Sequence, residues 1–132
     1  MSTIAEMFIK EAIKTENLDL NSLARRLGEE KTIRLLHAAM GMVTEAGEFM
    51  DALKKYIIYG KPLDEVNLKE ELGDLNWYEA IAHNTLNSSF EEVMIMNTKK
   101  LRKRYANKFS ENEAINRDLN IEREALSNLE IK

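Results

Sequence analysis

Residues 37–53, HAAMGMVTEAGEFMDAL, place Glu45 and Glu48 three positions apart with Gly47 between them. Residues 69–81, KEELGDLNWYEAI, repeat the device with Glu71 and Asp74 around Gly73. On a helix each pair points to one side, because successive residues turn by about 100°. The ordinary reading of such a pair is a solvated face, since charged side chains are mostly exposed. Two features argue for more. Gly41 and Gly47 each cost a helix roughly 1 kcal/mol relative to alanine, which implies that something comes close to the backbone there. Their neighbours Ala38, Ala39, Met40, Met42, Val43, Ala46, Phe49 and Met50 are apolar, and carboxylates within a buried segment need cations. Two antiparallel helices would bring the four acids face to face. Four carboxylates without thiolates suit a hard divalent ion, Mg²⁺ or Mn²⁺, better than zinc or copper. A di-iron centre would use Glu-x-x-His, and neither His37 nor His83 has an acid three residues before it.

Positive charge is concentrated in residues 99–108, where Lys99, Lys100, Arg102, Lys103, Arg104 and Lys108 occur with no acid. Asn97, Lys100 and Arg104 stand at i, i+3 and i+7, a single helical stripe able to grip a polyphosphate that a metal holds from the other side. The remaining cations of the run fit a solvated face. Lys55, two turns after Glu48, is a further phosphate candidate or simply an exposed helix lysine. His37 shares a stripe with Gly41, Thr44 and Glu48. With Asn76 and Trp77 near the second acidic pair, it could recognise a base: the ring stacks while the amide bonds an edge. Core packing is the commoner use of a tryptophan at this spacing, and His37 can equally pack neutral or bond a carboxylate.

The elements that must position these groups read as helices. Strong helix formers dominate, strand-type alternation is absent and there is one proline, Pro62. The spacing predicts helices over about Thr3 to Lys14, Leu20 to Leu27, Glu30 to Tyr59, Asp64 to Leu86, Ser89 to Asn107 and Glu111 to Leu129. Gly28, Gly60 with Pro62, and Asn87-Ser88-Ser89 supply the stops. Ser89 with Glu92 and Ser110 with Glu113 have capping-box spacing, and Phe109 stands in the staple position. Counting the piece at 20–27 as minor, the expectation is an all-α antiparallel bundle of about five helices with short loops.

The 132 residues fit one domain, 1–132. No 18-residue apolar run is present to cross a membrane, and the start, MSTIAEMFIKEAIK, lacks the basic-then-apolar order of a signal peptide. With no cysteine, disulfides and thiolate chemistry are excluded and a reducing cytoplasm fits. A net charge of −4 argues against a chain built to coat nucleic acid.

Glu45-x-x-Glu48 followed by Glu71-x-x-Asp74 resembles the ExxE and ExxD metal motif of the MazG-like all-α nucleoside triphosphate pyrophosphohydrolases. These are related to dUTPase-type and phosphoribosyl-ATP pyrophosphohydrolases. Asn97-Thr98-Lys99-Lys100-Leu101-Arg102-Lys103-Arg104-Tyr105 looks like that family's N-x-x-K-L-x-x-R-Y. The resemblance covers roughly residues 33–124, and residues 114–123 look like the tail of small stand-alone members, including phage-encoded ones. Many members carry EExxE, and Thr44 stands where their first acid would be. The resemblance implies hydrolysis of a (deoxy)nucleoside triphosphate to monophosphate and pyrophosphate. Glu45, Glu48, Glu71 and Asp74 would hold Mg²⁺ (or Mn²⁺), with a water attacking the α-phosphorus in line. Glu48, Glu70 or water on the metal would then be the base. Deoxynucleotides are the preferred substrates by likeness to the phage-type members, whose setting would be the host cytoplasm.

Apolar positions such as Met94, Ile95 and Met96 exceed what one thin bundle covers, so a homo-oligomer is expected, a dimer or tetramer as in the family. Two other classes compete. A non-catalytic helical interaction module would use the Met-rich stripes, and a nucleic-acid binder would use residues 99–108. Neither accounts for two glycine-containing acidic pairs on successive helices.

Overall fold

The computed structural model describes residues 3–105 and 108–127, and among them every regular element is an α-helix. The order is α1 Ile4–Ile13, α2 Leu20–Leu27, α3 Glu30–Tyr59, α4 Glu65–Leu86, α5 Phe90–Arg104, α6 Glu111–Ile115 and α7 Leu119–Ser127. Local chemistry sets most of these limits. The Thr3 hydroxyl accepts from the Glu6 N–H while the Glu6 carboxylate accepts from the Thr3 N–H, a reciprocal cap on α1. Asp19, Asp64, Ser89 and Ser110 cap α2, α4, α5 and α6 with side-chain oxygens. Each satisfies a first-turn N–H that has no partner within its helix. α3 stops at Gly60, whose φ of 63° lies in the left-handed region natural to glycine.

Two expected limits move. The helix expected to reach Asn107 ends at Arg104, with Tyr105 already extended, and Asn107 lies outside the described residues. The single helix expected over 111–129 is divided into α6 and α7, so the described residues form seven helices rather than about five. The Asp118 carboxylate accepts from the N–H groups of Asn120 and Ile121, so this stretch begins a new helix instead of continuing the old one. Residues 128 and 129 lie outside the described residues.

α3 runs antiparallel along α4. Gly41 meets Tyr78, Glu45 faces Glu71 and Asp74, and Arg34 donates to the side-chain amide oxygen of Asn84 at 2.5 Å. The other main packed pair is α5 with α7, and α2 touches α3. Little apolar surface is enclosed by these pairings. Among the described residues the buried hydrophobic side chains are only Ala38 and Ala52, whereas Phe8, Val43, Val66, Trp77, Phe109 and Ile115 are each more than 70% exposed. The accessible surface is 11113 Å², against about 7,100 Å² for a compact monomer of this mass.

Candidate metal centre

The α3–α4 pair builds the site. A Cβ placed on Gly41 would stand 2.1 Å from Tyr78 Cδ1, so a glycine is required there and the two helices approach closely one turn from Glu45. His37 meets the same tyrosine edge-on, with ring centroids 5.8 Å apart. Gly47 does not share this reason: no atom among the described residues comes within 4 Å of a Cβ built on it. The same is true of Gly73.

Glu45, Glu71 and Asp74 converge. Each offers an oxygen, and the three lie within 4.8 Å of one another. Glu71 is buried and its carboxylate accepts from the Asn67 amide at 2.7 Å, which fixes it toward α3. Asn67 had not been singled out from the sequence. Its i, i+4 spacing to Glu71 on one helix face was the available signal. Glu45 is half-buried, and its pKa is raised by loss of solvent first, then by the charge of Glu48; Thr44 opposes this, and Asp74 and Glu71 add to it. The Thr44 hydroxyl donates to the Gly41 carbonyl at 2.8 Å and reaches Glu45 at 3.3 Å. Three close carboxylates with one buried and one raised pKa are a mutually repelling set, and a hard divalent cation is the partner such oxygens fit. Of the four acids expected to converge, Glu48 is the one outside the trio: it is exposed, though its charge is felt at Glu45.

The remaining candidates are scattered more widely. Glu70 is exposed, one residue before Glu71. Lys55 binds Asp51 at 2.8 Å; this contact raises the pKa of the lysine and lowers that of the aspartate. Trp77 is 72% exposed, so the commoner expectation of a core tryptophan is not met. Asn76 sits about 160° around α4 from Asp74, and its amide donates to the Leu72 carbonyl of its own helix.

On α5, Asn97 and Lys100 line an open groove of about 610 Å³ together with Glu79, His83, Phe90 and Leu126. The stripe's third member, Arg104, has a partner within the chain. It forks the Glu122 carboxylate through Nε at 2.8 Å and Nη2 at 2.7 Å, and Arg117 binds the same carboxylate at 3.3 and 2.9 Å. Sequence reasoning found neither Glu122 nor Arg117 in this role, because an ion pair across 18 residues leaves no local pattern.

Among the described residues, no helix is long and apolar enough to cross a membrane. The family model for the MazG nucleotide pyrophosphohydrolase domain matches residues 33–109. No curated protein and no solved structure gives a significant match to the chain.

Proposed function

The chain belongs to the MazG nucleotide pyrophosphohydrolase family, and from that premise we propose that it hydrolyses deoxynucleoside triphosphates between the α and β phosphates with Mg²⁺ at the α3–α4 acids. The observation that carries this reading is the convergence of Glu45, Glu71 and Asp74 within 4.8 Å. Hard oxygen donors at that spacing fit Mg²⁺ or Mn²⁺. When bound, the ion would neutralise phosphate charge and lower the pKa of the attacking water.

The chain's own groups divide the remaining work. Glu71, held by Asn67, is the fixed member of the trio, and Glu45 closes on it from α3. Glu48, exposed beside them, accepts the proton from the attacking water, with Glu70 as the second candidate base. Asn97 and Lys100 hold the polyphosphate from α5. Lys55 supplements them when Asp51 releases it. Trp77 and His37 face the base; Asn76, on the far side of α4 from Asp74, would reach it only from the Trp77 side and only once its amide leaves the Leu72 carbonyl. A side chain that keeps one flat face in solvent costs little to cover with a nucleobase.

The protein works as a homo-oligomer in the cytoplasm. The roughly 4,000 Å² of surface beyond that of a compact monomer supports burial of part of it between copies of the chain. Exposed apolar residues of α1 and α3, Phe8 and Val43 among them, would lie in that interface.

A panel of dNTPs and NTPs incubated with Mg²⁺ or with EDTA, with products separated by ion exchange, tests the reaction. Monophosphate plus pyrophosphate, formed only with metal and lost in Glu71→Gln, is the expected result. Release of inorganic phosphate or of diphosphates instead would overturn it.

A further inference from the structure

α7 lies beyond the residues that match the family, 33–109, yet it forms with α5 one of the two main packed helix pairs among the described residues. Its anchor is Glu122. That carboxylate is 5% exposed and receives four N–H donors from two guanidinium groups. Fork-to-fork pairing of this kind is directional as well as strong. Removing one member would leave a buried charge without its partner, which is far costlier than losing an exposed pair.

The pairing also sets a register. Lys100 and Arg104 are i, i+4 on α5, and Glu122 and Leu126 are i, i+4 on α7, so each pair shares a helix face. Arg104 meets Glu122 at one end of the contact, while Lys100 and Leu126 line the same groove at the other. The side-on edge of Arg104, Nε with Nη2, one of the two edges by which a guanidinium forks an anion, is filled by Glu122. A phosphate would have to displace a nearly buried carboxylate to take it.

We propose that Arg104 and Glu122 are positioning residues: with Arg117 they clamp α7 onto α5 and hold Lys100, Asn97 and Leu126 in the geometry that receives the polyphosphate. Arg104 then acts through Glu122 rather than by touching the substrate. The proposal rests on the pyrophosphohydrolase reading for the role of Lys100.

Exchanging the charges tests it. Arg104→Glu and Glu122→Arg are compared singly and together, beside Glu122→Gln. The double variant keeps one acid and two arginines in the clamp but places a carboxylate where a phosphate ligand would have to be cationic. Each single variant is expected to raise KM for the nucleotide about tenfold, as for loss of one charge-assisted contact, with kcat largely kept. The double variant should bring KM back near the parent value. A double variant as impaired as Arg104→Glu alone would show that Arg104 meets the phosphates and would overturn the proposal. Hydrogen exchange at residues 119–127 reads the clamp without substrate. Protection lost in Glu122→Gln and regained in the double variant supports the clamp, and protection unchanged in Glu122→Gln overturns it. If the parent protein turns over no nucleotide while exchange behaves as expected, the hydrolase reading fails and the clamp stands.

Discussion

The backbone of Gly41 lies against the ring of Tyr78, so close that a Cβ on residue 41 would stand 2.1 Å from Cδ1. This contact draws α3 onto α4 one turn from Glu45 and lets acids from two helices share a site. Gly41→Ala should therefore destabilise the protein by about 1–3 kcal/mol through overpacking, despite its better helix propensity. Gly47→Ala and Gly73→Ala, where the described residues leave open space, should each stabilise by about 0.5–1 kcal/mol. Chemical denaturation of the three variants checks the contrast. A destabilising Gly47→Ala would mean that a second protomer sits there.

The acid trio predicts opposite responses with and without metal. The folded-state pKa of Glu45 is raised by burial and by Glu48. Its contribution to stability is therefore fully present below the ordinary glutamate pKa and is lost as pH rises through the raised value. In EDTA at pH 7, Glu45→Gln should melt at or above the parent temperature. With Mg²⁺ at a hundred times its dissociation constant the parent should gain about 2.7 kcal/mol, and Glu45→Gln and Glu71→Gln should gain little. Thermal melts across a Mg²⁺ titration decide it. An equal shift in all three proteins would place the ion elsewhere.

Glu122 has the reverse sign. The guanidinium groups of Arg104 and then Arg117 hold its pKa down at about 2. Its stabilisation is present above the ordinary glutamate pKa of about 4.3 and is lost as pH falls toward 2. Acid unfolding should thus be shallower between those values in Glu122→Gln than in the parent, and circular dichroism against pH is the measurement. Superimposable acid limbs would contradict the buried pairing.

Trp77 is the chain's one tryptophan and is 72% exposed. Intrinsic fluorescence therefore reports a single site. With Ca²⁺ replacing Mg²⁺ to slow turnover, a dNTP should quench this emission, and Trp77→Ala should raise KM several-fold with little change in melting temperature. Unchanged emission at saturating nucleotide would remove Trp77 from base recognition.

Light scattering should find a multiple of the 15.3 kDa protomer mass. A monomer alone would sink the homo-oligomer and leave the exposure of Phe8, Val43 and Val66 unexplained.

Short-range signals make much of this protein legible in its sequence. The capping residues Ser89 and Ser110, the stop at Gly60 and the paired acids on α3 and α4 all act within a turn or two of helix, so residue type and spacing reveal them. The metal motif and the N-x-x-K-L-x-x-R-Y run are of the same kind, which is why family membership was legible. Tertiary structure alone decided what depends on distant groups meeting. It brought Glu45, Glu71 and Asp74 together with Glu48 at the margin, and it gave Gly41 its reason and denied the same one to Gly47. It turned Trp77 outward and committed Arg104 to a carboxylate 18 residues away. Helix periodicity states which side a residue faces, but the partner on that side is set by how whole helices cross, a relation between distant segments that no local pattern encodes.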